Sequence, residues 1–543
     1  MISQPDWRSR DDFEVMGRPG LAVLVAAGNL DSMLSNYSTR TRRRREDSYS
    51  PGGETGRRPD RATIVYCNRV RELWGDVPLV IGGIEASLRR IAHYDYWSDS
   101  VRRSILTDSR ADILVYGMAE VQLEAIAALL ASGVHVRGIR DVPGTCWRTH
   151  DRGDAPDAAE LPSFESVSAD RRAFADAFRI FYMEQNFATG RRLMQDQGPW
   201  MVVHNPPPPP MSSEALDRVY SLPYARDPHP SYGGSEIPAL AEVRFSITSH
   251  RGCFGECAFC AISSHQGRVI QRRSARSIID EAILLTGMPG FKGYIHDIGG
   301  PTANFRTPSC RRSVRDGPCR GRSCLFPKPC RELVASHGEY LEILRRVRDL
   351  PGVKRAFVRS GLRYDYIMAD PEGAGFLEEL CRHHISGQLK IAPEHSSGSV
   401  LACMRKVPSD VTANFIRSYR ETNARIGKNQ FLVPYFMSGH PGCGLKESVE
   451  LAEFINAIGV RPEQVQEFTP TPGSLSSCMY HTGLDPMTGK PVYVPRDPDE
   501  RAMQRALLQF WMPKNRDLVR RALEKTGRTD LIGRSKKCLI PGP

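Results

Sequence analysis

Arg251-Gly252-Cys253-Phe254-Gly255-Glu256-Cys257-Ala258-Phe259-Cys260 sets three cysteines in the spacing Cys-x3-Cys-x2-Cys. Closely spaced thiolates on a short loop can reach one small inorganic core, and iron–sulfur clusters are held this way. Gly252 and Gly255 let the backbone wrap tightly around such a core. Immediately upstream, Val243–Thr248 has the pattern of a buried strand, so the loop is predicted to lie at a strand's C-terminal end. The competing readings are a zinc site or three buried thiols. Zinc sites more often show four ligands in paired Cys-x2-Cys form.

Downstream of the loop, strand and helix patterns alternate. Strands are predicted at Gly293–Ile298, Arg355–Arg359, Gln388–Ala392, Gln430–Met437 and Gln464–Phe468. Helices are predicted at Ala275–Leu285, Glu339–Arg348, Gly373–His383, Asp410–Ile426 (with Ser409 as N-cap) and Leu445–Ile458, which stops at Gly459. Six such units read as a parallel barrel or open α/β sheet, whose chemistry lies at the strand C-termini. Three cysteines bind three irons of a 4Fe–4S cubane and leave the fourth open. That iron can take the amino and carboxylate groups of S-adenosylmethionine (SAM). A reduced cluster can then cleave the sulfonium to methionine and a 5′-deoxyadenosyl radical, chemistry that the cofactor carries.

Upstream, the first third reads as α/β, with strands predicted at Leu21–Ala26, Ala62–Tyr66, Pro78–Gly82 and Ile113–Tyr116 and a helix at Glu120–Ala131. Arg40 and Arg42–Arg45 read as a solvated loop. Pro206–Pro210 is five consecutive prolines, predicted to be extended, and the irregular character runs on to about Ile237. After Asp497 the chain reads as helical and basic, and Arg534-Ser535-Lys536-Lys537 reads as a flexible tail.

Composition sets the class. The 543 residues carry 74 Lys plus Arg against 62 Asp plus Glu, a net +12, which permits nucleic-acid or phosphate partners without requiring them. No apolar run is long enough to span a bilayer and no secretory signal opens the sequence, so a cytoplasmic location without membrane partners is expected. Fourteen cysteines in a reducing compartment argue against a disulfide framework, and seven of them fall between Cys253 and Cys330.

Longer motifs add a resemblance. Gly28-Asn29-Leu30-Asp31-Ser32-Met33, Ile81-Gly82-Gly83-Ile84-Glu85-Ala86-Ser87-Leu88-Arg89-Arg90, Val358-Arg359-Ser360-Gly361-Leu362-Arg363-Tyr364-Asp365 and Thr469-Pro470-Thr471-Pro472-Gly473 accompany the cysteine loop. With them the chain, from Gln4 to Pro541, resembles the YgiQ-type radical SAM proteins. The resemblance implies an α/β fold: a Rossmann-like domain, a partial (β/α)6 radical SAM barrel and a helical, basic C-terminal extension. The matching boundaries are a Rossmann-like (cobalamin-binding-like) domain over 1–202, a Pro-rich linker over 203–240, the radical SAM core over 241–496 with a Cys-rich insertion at 303–335, and the extension and tail over 497–543. It also implies that Cys253, Cys257 and Cys260 hold a 4Fe–4S cluster and that Phe259 packs near the adenine of SAM. Asp297-Ile298-Gly299-Gly300-Pro301 looks like the motif that binds the SAM amino group, with Pro301 where a Glu often stands. Lys390-Ile391-Ala392-Pro393-Glu394-His395 resembles the motif near the ribose and carboxylate, and Tyr435–Gly442, with Gly439, resembles the adenine strand. The Asp-x-His-x2-Gly motif that ligates cobalt in cobalamin-binding relatives is not found. Family members carry a further strand–helix unit before the segment matching Ile2–Trp7, so either a misplaced start codon or a missing first strand, with an unpaired sheet edge, is expected.

Cys310, Cys319, Cys324 and Cys330 form a second group of four thiols in 21 residues, among Arg306, Arg311, Arg312, Arg315, Arg320, Arg322 and Lys328 with only Asp316 opposing. This pattern suggests an auxiliary 4Fe–4S cluster or a zinc site. Cys67, Cys381 and Cys403 read as plain core or surface residues. The leading functional expectation is a radical SAM enzyme that uses SAM, an unidentified substrate and a reductant such as flavodoxin or ferredoxin. The alternatives are an RNA-modifying, methylthiotransferase-like enzyme and a non-enzymatic metal-binding nucleic-acid scaffold.

Overall fold

The computed structural model describes residues 1–542. Short apolar runs bounded by glycine and proline build a seven-stranded sheet in the first 204 residues. In chain order the strands are β1 (Val23–Ala26), β2 (Leu79–Gly82), β3 (Ile113–Val115), β4 (Thr145–Thr149), β5 (Ala159–Leu161), β6 (Leu193–Asp196) and β7 (Met201–His204). Their spatial order is β1-β2-β3-β4-β7-β6-β5. β1, β2 and β3 run parallel, whereas β4 pairs antiparallel with both β3 and β7. The sheet is therefore mixed, and β1 is an edge strand whose Leu24 is exposed.

Ala62–Tyr66, predicted as a strand, is instead the start of the helix Ala62–Leu73, which buries Ala62, Thr63, Tyr66, Cys67 and Val70 along one face. A five-residue apolar run fits either period, and here the longer helical spacing decides. The proline-rich stretch also holds more order than its composition suggests. Helices form at Ser213–Tyr220, capped by Ser212, and at Pro238–Val243, which opens on a proline where no N–H is required.

The second half is a run of parallel strands, each beside the next in sequence: β8 (Ser246–Thr248), β9 (Tyr294–Ile295) continuing as β10 (Asp297–Gly299), β11 (Arg355–Ala356), β12 (Gln388–Glu394), β13 (Phe431–Ser438) and β14 (Gln466–Glu467). β8 pairs with β10, β9 with β11, β12 with β13 and β13 with β14, and a Leu362–Ile391 bridge joins the chain after β11 to β12. The outer helices Ala275–Thr286, Gly338–Arg348, Gly373–His383 and Ser409–Arg425 turn apolar faces inward, and Ile278, Ile343, Phe376 and Phe415 meet Ile298 and Ile391 in one core. Ser409 is the first helical residue rather than the cap, which falls on Pro408.

The two halves share a core. The helix Arg171–Met183 is capped by Asp170 and buries Phe174, Phe178 and Phe181 at helical spacing. Phe174 and Phe178 lie against Met437, Phe468, Cys478 and Met479 of the second half. Each buried phenylalanine contributes about 1.5–3 kcal/mol, so this seam is a fixed joint. Arg534, Ser535, Lys536 and Lys537, expected as a flexible tail, are exposed, but the chain beyond them is packed. Leu539 and Ile540 are buried with the helices Pro498–Leu507 and Arg516–Lys525, and Gly533 N–H donates to the Ile540 carbonyl. No helix among the described residues is long and apolar enough to cross a membrane.

Candidate functional site

β8 runs into the cysteine loop through His250 and Arg251, both buried. Gly252 then takes φ +86°, and a Cβ there would lie 2.2 Å from the Val269 carbonyl oxygen, so only glycine fits. Cys253 Sγ lies 3.5 Å from Thr302 Oγ1, just beyond the Gly299-Gly300 pair. Cys257 Sγ accepts from Arg363 Nη1 at 3.5 Å. Burial pushes the Cys260 thiol up to about 12, and the neighbouring Cys257 and Cys253 charges add to that rise; burial also pushes Cys253 up. The three half-buried thiols share one loop, and among the described residues they do not converge at the spacing of a single ion. A metal core, which binds thiolates, is what would deprotonate them.

Two residues that sequence reasoning missed hold this loop. Glu256 sits between two of the cysteines at φ +48°, and its buried carboxylate accepts from Arg268 at 2.6 Å and from the Tyr182 hydroxyl at 3.0 Å. Tyr182 belongs to the helix Arg171–Met183, so the N-terminal half pins the loop. Arg363 is 7% exposed and is clamped by Asp365 through two bonds of 2.8 and 2.6 Å. A Cβ on Gly255 would fall 2.4 Å from Arg363 Nη1, so Gly255 is what lets the guanidinium approach.

Gly299 and Gly300 close the inner wall. A Cβ on Gly299 would lie 2.7 Å from Ser360 Oγ, and one on Gly300 would lie 2.6 Å from the His250 ring. That ring is held between Ser249 Oγ at 2.8 Å and the Thr302 carbonyl at 3.1 Å. Asp297 accepts from the Arg359 and Ser360 amides at 2.8 and 3.1 Å, fixing the turn opposite. Beside these glycines opens a cavity of about 720 Å³, lined among others by Tyr220, Thr248, Asp297, Arg359 and Lys390.

Glu394 ends β12 at φ +71°, a strained conformation for this residue, and is 5% exposed. Burial raises its pKa, Lys406 and Arg363 pull the other way, and its negative charge reaches Cys260. Its Oε2 has no donor in the protein, so an ammonium or hydroxyl of a bound molecule would satisfy a buried acceptor. Gly439, at φ +74°, donates its N–H to Gln504 Oε1 at 2.9 Å. Gln504 lies on the C-terminal helix Pro498–Leu507 and also donates to the Cys443 carbonyl at 2.9 Å. Phe259 stands edge-on to His440 at 6.0 Å, which brings two separately identified motifs together.

The second cysteine group lies alongside the first. Burial raises the Cys324 thiol to about 11, and the charges of Cys310 and Cys319 reach it. Cys330 N–H donates to the Cys324 carbonyl at 2.9 Å, while the Cys319 and Cys330 side chains are exposed. Among the described residues, no three metal-ligating side chains converge on one ion-sized position. Arg306, counted by sequence among the cations around this group, is buried and bonds the Ser249 carbonyl and Glu339 instead.

A family profile described as "Radical SAM N-terminal" matches residues 1–246, and one described as "Domain of unknown function (DUF3362)" matches residues 463–543. A UPF0313 protein of Clostridium botulinum (strain ATCC 19397 / Type A) is 53% identical over 544 residues, covering 100% of this chain and 84% of the relative. A UPF0313 protein of Clostridium perfringens (strain ATCC 13124) is 53% identical, covering 99% of this chain and 82% of the relative. Among solved structures, the radical SAM methyltransferase TsrM from Kitasatospora setae, with cobalamin and a [4Fe-4S] cluster bound, is 13% identical at a TM-score of 0.45, covering 96% of this chain and 92% of that one. The cobalamin-dependent radical enzyme OxsB is 12% identical at a TM-score of 0.46, covering 86% of this chain and 60% of that one. Likeness at this level identifies neither a cofactor nor a substrate. Identity of 53% along the full chain does decide the family: this protein belongs to UPF0313, the YgiQ-type radical SAM proteins.

Proposed function

We propose that this protein is an enzyme that reductively cleaves SAM at a 4Fe–4S cluster held by Cys253, Cys257 and Cys260, inside a partial (β/α)6 barrel preceded by a Rossmann-like domain. The observation that carries the reading is the set of three half-buried thiols on the loop after β8, with Cys253 Sγ beside Thr302 and Cys257 Sγ beside Arg363. The cluster and SAM together supply homolytic C–S cleavage and a 5′-deoxyadenosyl radical. The chain's own residues do the rest. Glu394, with its unpartnered oxygen, receives a polar group of SAM. Phe259 and the Gly439 turn border the adenine. Arg363 holds a positive charge against the cluster loop, and Glu256 ties that loop to the N-terminal half. The cavity beside Gly299-Gly300 takes the substrate.

The second group, Cys310, Cys319, Cys324 and Cys330, belongs to the proposal as a separate metal site. The test of the main reading is anaerobic reconstitution with iron and sulfide, followed by SAM and dithionite. The wild type forms 5′-deoxyadenosine, while Cys253→Ala, Cys257→Ala and Cys260→Ala each lose both the brown absorbance of this cluster and SAM cleavage. SAM cleavage retained in any single variant defeats the assignment.

A further inference from the structure

The Cys-rich insertion leaves the core just after Gly299-Gly300 and returns at the helix Gly338–Arg348. Its two ends meet in one contact. Asn304 Nδ2 at the departing end lies 3.0 Å from His337 Nε2 at the returning end. These residues are only 1% and 2% exposed. A polar contact this deep is destabilising unless every group in it is satisfied.

One proton arrangement satisfies the groups that meet here. Asp370 Oδ2 accepts from His337 Nδ1 at 2.5 Å and from the His337 amide at 3.0 Å, so the ring proton sits on Nδ1. Burial lowers the pKa of the ring against the pull of Asp370, which favours this neutral form. Nε2 is then an acceptor and takes one N–H of the Asn304 carboxamide. That carboxamide also donates to the Arg363 carbonyl at 3.1 Å, and its Oδ1 accepts the Arg363 N–H at 2.9 Å. Asn304 thus grips the Arg363 backbone on both sides, and the imidazole decides which way round the carboxamide stands. Phe376 stacks on the imidazole at 4.1 Å and holds its plane.

Arg363 is the residue that reaches the cysteine loop, where Nη1 donates to Cys257 Sγ. Asp365 clamps the guanidinium from two residues further along the same backbone. The clamp therefore fixes the guanidinium relative to its own chain, and the seat of that chain against the loop depends on what holds its backbone. We infer that Asn304, oriented by the His337–Asp370 pair, is a positioning residue for the 4Fe–4S cluster, seating Arg363 so that its guanidinium donates to Cys257 Sγ and raises the cluster's reduction potential. The inference rests on the cluster assignment of the preceding section. A donor and a positive charge beside a thiolate ligand stabilise the reduced, more negative cluster. The closure of the insertion and the seating of Arg363 are one contact, so a change at the stem reaches the cluster without touching a cysteine.

The experiment is a redox titration, followed by electron paramagnetic resonance, of the reconstituted full-length protein without SAM. It compares wild type, Asn304→Ala, Arg363→Met/Asp365→Leu and the three substitutions combined, with iron content and circular dichroism of each preparation measured alongside. In Asn304→Ala the ratio of reduced to oxidised cluster at a fixed solution potential should fall about tenfold, a downward shift of about 59 mV for one electron, with iron retained. Arg363→Met/Asp365→Leu should fall at least as far, and adding Asn304→Ala to it should shift the potential no further, because both act through one bond. A residue that only supports the fold would not produce this non-additivity. His337→Leu, which cannot accept from Asn304, should lower the potential, and His337→Gln, whose Oε1 can accept, should restore most of it. An unchanged potential in Asn304→Ala, or a full additional shift in the combined variant, overturns the inference. If Asn304→Ala holds no iron, the His337 pair decides, and equal potentials in its two variants overturn the inference. Loss of iron from Asn304→Ala and both His337 variants alike also overturns it, because the stem would then serve cluster retention alone. A wild type that forms no 4Fe–4S signal defeats the cluster reading, which is a separate result.

Discussion

Removing the Arg363 guanidinium is expected to damage the site through its partner. Asp365 is buried beside it, with its side chain only 2% exposed, and both its oxygens are taken by Arg363. In Arg363→Ala that carboxylate stays buried with only the weaker pull of Lys406 to answer it, so the cost approaches that of an unpaired buried charge, about 3–5 kcal/mol. Arg363→Met/Asp365→Leu removes both charges and keeps most of the volume, so it should lie within about 1–2 kcal/mol of wild type. Anaerobic urea denaturation of the apo-protein, followed by circular dichroism, measures both. The double variant isolates a second effect. It still lacks the bond to Cys257 Sγ, so after reconstitution its cluster should show a lower reduction potential than wild type, because a cation beside the thiolates favours the more negative reduced state. An Arg363→Ala variant as stable as wild type would refute the reasoning. So would a double variant as unstable as Arg363→Ala.

Other outcomes follow from the same geometry. Gly252→Ala places a methyl 2.2 Å from the Val269 oxygen at a left-handed φ, which alone costs about 1–2 kcal/mol, so reconstituted iron should fall by more than half while the N-terminal half remains folded. Metal analysis of a variant lacking Cys253, Cys257 and Cys260 should find residual metal at the second cysteine group, and freely titrating thiols there with no metal would remove that site. Acid stability should show Glu379. A hydrogen bond from Arg345, reinforced by Arg348, pulls its carboxyl from 4.5 down to about 2 against the opposing effect of burial. Because the folded value is depressed, the contribution of about 0.5–1 kcal/mol is complete above pH 4.5 and fades as the pH falls through about 2. Glu379→Gln should therefore be less stable than wild type at pH 6, with the gap closing at the acid end; a gap that does not change with pH would contradict this.

The helices Gly373–His383 and Leu445–Ile458 were legible to the residue because long amphipathic spacing and Gly459 leave no other reading. β12 and β13 were nearly as clear. Ala62–Tyr66 was not, since five apolar residues carry no period of their own. β4 to β7 escaped notice because strands of three to five residues, some turning antiparallel, leave little pattern. At the site, the three cysteines and Gly299-Gly300 announce themselves by local spacing. Glu256, Arg363, Tyr182 and Gln504 do not, because each acts through a partner brought in by tertiary folding: Tyr182 reaches Glu256 across 74 positions and Gln504 reaches Gly439 across 65.

The bond from Gly439 to Gln504 has a consequence for biosynthesis. The cysteine loop leaves the ribosome about 240 residues before Gln504 does. At about 5–20 residues per second, that interval lasts roughly 10–50 s. Throughout it, a nascent chain carries three closely grouped thiols while the turn at Gly439 lacks the side chain that accepts its N–H. Iron delivered during that window meets an unfinished pocket, and an oxidant meets thiols without a cluster. The order of synthesis thus favours insertion of the cluster after chain release, and a chain truncated before residue 504 should accumulate as oxidised, iron-free protein.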